Sequence, residues 1–159
     1  MTAAPVPTNL DVPNFEEIVE AFLARDYTGI SKFAEHLINE ARPVQSLLLS
    51  LIGLCRSGNV RRARQLGEIS IKRLRPYNPW SAYLIELALG QQEIQSSLAG
   101  DMNPTAHCQA LFYNAAAKAS CGEKLQAIDL LKKAMLINAP CLELYLAHKE
   151  CEFIENADN

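Results

Sequence analysis

The chain has 159 residues, 49% of them hydrophobic and 7% aromatic, with a formal charge of -3. That suffices for one domain cored by Leu, Ile and Ala, and no apolar run reaches the roughly 18 residues a membrane-spanning helix needs. The opening stretch, MTAAPVPTNLDVPNF, has neither a basic start nor an apolar centre, which argues against a secretory signal and for the cytoplasm.

Residues 1–13, rich in Pro and small side chains, read as a flexible lead-in, and 14–159 as one domain. A first helix is expected from Phe15 to Arg25, opened by an Asn14–Glu17 capping box, with Phe15, Ile18, Val19, Phe22 and Leu23 as its apolar stripe. A second should run from Thr28 to Ala41 and stop before Pro43. The third covers Val44 to Arg56 and the fourth Val60 to Leu74. The fifth starts at Pro79, a favourable first-turn residue, and reaches Leu89. A short sixth is expected over Gln91–Leu98, a seventh over Ala106–Ser120 and an eighth over Glu123–Ile137. The ninth, Leu142 to Ile154, would cover the open end, with Glu143, Glu150, Glu152 and Glu155 facing water. No alternating β-branched run is long enough for a strand.

A cadence runs through these helices. Gly58, Ala63, Ser70 and Pro76 recur as Gly122, Ala127, Ala134 and Pro140, each 64 residues later, with Gly90 midway between the two glycines. Gly ends one helix in the left-handed conformation, a small residue lets the next helix approach, and Pro closes the unit. A period of about 32–34 residues is typical of stacked helix pairs. The last unit, CQALFYNAAAKASCGEKLQAIDLLKKAMLINAPCLEL, resembles a tetratricopeptide repeat, with Leu111, Ala115, Gly122, Ala127, Leu131 and Ala134 in the repeat's large and small slots. In the second unit Leu47, Leu51, Leu54, Gly58 and Ala63 fit, and in the first Arg25, Ile30 and Leu37 stand at the Gly and two Ala slots. The resemblance implies an all-α fold: a right-handed α-solenoid of about four antiparallel helix pairs plus a C-terminal capping helix. A generic helical array of other ancestry is the competing reading.

In that family the first helix of each pair lines a concave groove. The resemblance therefore places Phe15, Leu48, Ile52, Trp80, Leu84 and Phe112 in a partner-binding groove, apolar and partly aromatic. The Lys and Asn residues by which some members hold a peptide's terminal carboxylate are absent, so that activity is not carried over. The competing reading packs these side chains against one another as core.

Charge supplies the second signal. Arg56, Arg61, Arg62, Arg64, Lys72, Arg73 and Arg75 are opposed within their window only by Glu68, a local +6 that leaves -9 for the rest of the chain. Such a strip can select an acidic partner, or be a solvated helix face. The acidic remainder and the lack of interleaved aromatics argue against nucleic acid.

Cys55, Cys108, Cys121, Cys141 and Cys151 are odd in number and without a Cys-x-x-Cys pair, so reduced thiols are expected. Cys141, His148 and Cys151 supply only one closely spaced pair, short of a zinc ligand set. No phosphate loop, nucleophile elbow or His-Glu-x-x-His motif is present, and neither a cofactor nor an enzyme activity is expected. The expectation is a cytoplasmic, non-catalytic adaptor that binds a protein segment in the groove, aided by the basic strip. Alternatives are a chaperone like the tetratricopeptide chaperones of type III secretion, a regulatory adaptor for a protease or other effector enzyme, and a nucleic-acid binder.

Overall fold

A computed structural model of the chain describes residues 14–38, 43–94 and 103–157. Among these residues every regular element is helical: α1 (Phe15–Leu23), α2 (Tyr27–Ser31), α3 (Ala34–Leu37), α4 (Val44–Arg56), α5 (Val60–Leu74), α6 (Pro79–Ala88), α7 (Pro104–Ser120), α8 (Lys124–Met135) and α9 (Leu142–Ala157). The lead-in 1–13 lies outside the described residues, as do 39–41 of the expected second helix and 95–98 of the expected sixth. Its other residues, 91–94, are not helical.

Local chemistry accounts for three of the helix starts. Asn14 accepts from the Glu17 amide at 2.8 Å while the Glu17 carboxylate accepts from the Asn14 amide, the reciprocal box that satisfies two otherwise orphaned donors. Asn78–Pro79 and Asn103–Pro104 open α6 and α7 alike: the Asn side chain accepts from an amide three residues on, at 3.1 and 2.8 Å, and Pro occupies the first turn. The second expected helix is broken at Lys32–Phe33 into α2 and α3. Thr28-Gly29-Ile30-Ser31 is a poor helix former, and the Ser31 hydroxyl donates to the Thr28 carbonyl, diverting the backbone from the regular ladder.

Among the described residues four have positive φ: Arg25 (62°), Gly58 (92°), Gly90 (74°) and Gly122 (81°). They fall 33, 32 and 32 residues apart, on the positions the cadence singled out. Each follows an apolar helix, and past Gly58 and Gly122 the chain turns back so that α4 meets α5 and α7 meets α8 as sequential neighbours. Gly costs nothing there, whereas Arg25 adopts a conformation disfavoured by about 1–2 kcal/mol for a residue with a Cβ.

Further contacts join helices that are not consecutive. α4 touches α1, α6 and α7, and α9 packs on α7 as well as on its sequence neighbour α8. The core runs continuously through these contacts from Ile18 and Phe22 in α1 to Leu146 and Ile154 in α9. Each Leu or Ile fully removed from water contributes about 1.5–3 kcal/mol. No helix among the described residues is long and apolar enough to cross a membrane.

Candidate functional site

The residues expected to line an open groove are mostly core. Leu48, Ile52, Leu84 and Phe112 are completely or almost completely buried. The cause is closure: α4 touches both α6 and α7, and α6 touches α7, so the helix faces meant for a partner are spent on one another. Phe15 and Trp80 keep part of their surface. Trp80 Nε1 donates to Gln109 Oε1 at 3.0 Å, and its ring lies 5.5 Å from that of Tyr83.

That Trp80–Gln109 bond leads into α9. Gln109 Nε2 donates onward to Glu143 Oε1 at 3.3 Å, and the Tyr113 hydroxyl donates to Glu143 Oε2 at 2.7 Å. Seven residues along, Glu150 accepts from Arg56 at 3.0 Å and is ion-paired with Arg25. Both carboxylates are buried, at 0% and 1% exposure, where the sequence suggested an outward face. A sequence signal for this exists: Glu143, Leu146, Ala147, Glu150, Cys151 and Ile154 form one helical stripe, so two acids share the apolar face of α9.

The Glu150 cluster joins three parts of the fold. Arg25 follows α1, Arg56 ends α4, and Arg56 also donates to the Ser120 hydroxyl at 3.0 Å and the Ala116 carbonyl at 3.2 Å in α7. The Tyr27 hydroxyl accepts from both arginines, and the Arg25 guanidinium lies 3.8 Å from the centre of the Phe153 ring. Burial alone would raise the Glu150 carboxyl pKa, but the charges and hydrogen bonds of Arg56 and Arg25 outweigh it and hold it below the usual value. At Arg56 burial favours the neutral form, and Glu150 and Tyr27 together more than reverse this. Burial, and then Glu143, push the Tyr113 phenol well above its ordinary value, keeping it a neutral donor.

The basic strip survives in reduced form. Arg56 leaves it, with its side chain 10% exposed inside the Glu150 cluster. On α5, Arg62 is paired with Glu35, and just beyond the helix Arg75 is paired with Glu86. Arg61, Arg64, Lys72 and Arg73 are exposed and have no ion-pair partner among the described residues. Ile69, half exposed, lies on the same outer surface.

All five cysteines are free, with Cys108 and Cys151 buried and Cys121 exposed. No group of three or more potential metal ligands assembles among the described residues. A cleft of about 610 Å3, unforeseen from the sequence, opens between α7, α8 and Glu93–Ile94, with Leu111 and Leu130 among its apolar walls and Lys118, Asp129 and Lys133 among its charged ones. Compared with protein-family models, curated proteins and solved structures, the chain matches none.

Proposed function

We propose that the chain is a non-catalytic protein-interaction module whose docking face is the outer surface of α5, and that its partner presents an acidic segment. One observation carries this reading: Arg61, Arg64, Lys72 and Arg73 stand exposed on a single helix without ion-pair partners among the described residues, in a chain otherwise strongly acidic. Such a field speeds encounter with an opposite charge and penalises wrong partners. The acidic remainder favours a protein over nucleic acid. We read the helix pairs as a tetratricopeptide-like, right-handed solenoid capped by α9 and acting in the cytoplasm; the recurrence of left-handed residues at 25, 58, 90 and 122 supports the repeat spacing of that reading.

The test is a pull-down from the native host comparing the natural chain with the Arg64→Glu, Lys72→Glu, Arg73→Glu triple variant. A partner captured by the natural chain, released by salt and lost from the variant fits the proposal. A partner held equally by both moves the docking face elsewhere. Captured nucleic acid with a steep salt dependence would replace the protein reading.

A further inference from the structure

α9 packs on α7 and α8 and buries Leu146, Ala147 and Ile154, and Glu150 ties it by side chains to Arg25, beyond α1, and to Arg56 of α4. Its polar anchors, Glu143 and Glu150, lie one heptad apart on the buried face, and each is met by two side-chain donors from elsewhere in the chain. A buried ion pair is a poor source of stability compared with a well-packed apolar contact, and is better suited to fixing register. Open clefts of about 430 and 540 Å3 flank this pair, both lined in part by α9: one reaches Tyr27, Arg56 and Glu150, the other Leu23, Arg25 and Phe153. Arg25 Nε is buried without a hydrogen-bond partner, so the seat retains an unused donor.

We propose that α9 is a displaceable resident of this seat, and that the seat recognises a helix bearing two carboxylates seven residues apart with apolar or small residues three and four positions after the first. Glu143, Leu146, Ala147 and Glu150 are the resident copy of that pattern. The chemistry makes the seat selective. With α9 away, Arg25 and Arg56 lose their shared counter-ion, and Tyr113 and Gln109 lose an acceptor, so an apolar helix fits worse than an acidic one. A partner helix of this pattern restores all of these contacts and leaves α9 undocked. The proposal is independent of the α5 face and uses different residues.

Two measurements on the full-length protein decide it. In hydrogen exchange, the α9 amides should open well before those of α7. Exchange of both helices in a single event would make α9 an inseparable part of the core and end the proposal. In the second, a labelled peptide spanning Leu142–Ala157 is titrated onto the natural chain and onto a Glu150→Gln chain. It should bind the variant about tenfold more tightly or better, because the resident helix vacates the seat more often. A peptide carrying Gln for Glu150 should bind the variant chain several-fold more weakly than the parent peptide. Equal binding of the two peptides, or binding of neither, overturns the proposal. If the Glu150→Gln chain does not fold, Glu143→Gln takes its place, and hydrogen exchange on the natural chain still decides whether α9 opens on its own.

Discussion

Arg25 and Glu150 are ion-paired although 125 residues separate them in the chain. Arg25 stands in the left-handed position that ends the first helical turn-back, and Glu150 on the buried face of the last helix. Their pairing, with Arg56 as third member, links the first and last parts of the fold where a regular stack of helix pairs would keep them apart.

Truncating Glu150 should be severe. Glu150→Ala leaves two largely buried guanidinium groups without a counter-ion, and a loss of about 3–5 kcal/mol is expected. Chemical denaturation monitored by circular dichroism would measure it. A loss below about 1 kcal/mol, the range of exposed pairs, would mean that the cluster is solvated.

The same carboxylate should set part of the acid sensitivity. Its folded pKa lies below the ordinary value of 4.5, so the folded state holds the charged form more tightly than the unfolded state does. The contribution is therefore complete above that value and is lost as pH falls through the lower folded pKa. Stability of the natural chain should fall more steeply below about pH 4.5 than that of Glu150→Gln, which has no carboxyl to protonate at that site. Parallel acid titrations would refute this.

The two arginines should not be equivalent. Arg25→Gly loses the Glu150 pair but relieves a left-handed backbone cost of about 1–2 kcal/mol, and Arg56 still neutralises Glu150. Arg56→Ala relieves nothing and also removes hydrogen bonds to Ser120 and Ala116. Arg56→Ala is expected to be the more destabilising, and thermal melts in which Arg25→Gly is the worse variant would contradict the assignment of strain.

Close helix approaches should be sensitive to single methyl groups. A Cβ added at Gly53 would meet Ile30 Cγ1 at 2.8 Å and the Tyr27 carbonyl oxygen at 3.0 Å, so Gly53→Ala forces α2 away from α4. Ala127 is fully buried, and Ala127→Leu should overpack its site. Each change should cost about 1–3 kcal/mol. An unchanged melting temperature for either would show that its site has slack.

The thiols should react in order of access. Burial pushes the Cys151 thiol up to about 11, helped by its hydrogen bond with Glu155, and burial and the neighbouring Cys141 raise Cys108 as well. Cys121 is exposed. Alkylation of the folded protein near neutral pH, followed by mass spectrometry, should label Cys121 well before Cys108 or Cys151. Early labelling of Cys108 would mean that α7 opens readily.

The sequence by itself determined the local elements. α4 and α5 begin and end where Pro43, Gly58 and the apolar period place them, and the left-handed residues fall at 25, 58, 90 and 122, because caps, turns and helical period act over a few neighbouring residues. Tertiary structure decided what each helix face meets. Leu48, Ile52, Leu84 and Phe112 suit a groove or a core equally well by helical period, and only the mutual contact of α4, α6 and α7 assigned them to the core. Glu143 and Glu150 could be buried because Tyr113, Gln109, Arg25 and Arg56 come from 30 to 125 residues away to satisfy them. A carboxylate's burial depends on donors supplied across the fold, and the nearby sequence does not encode how the chain brings them there.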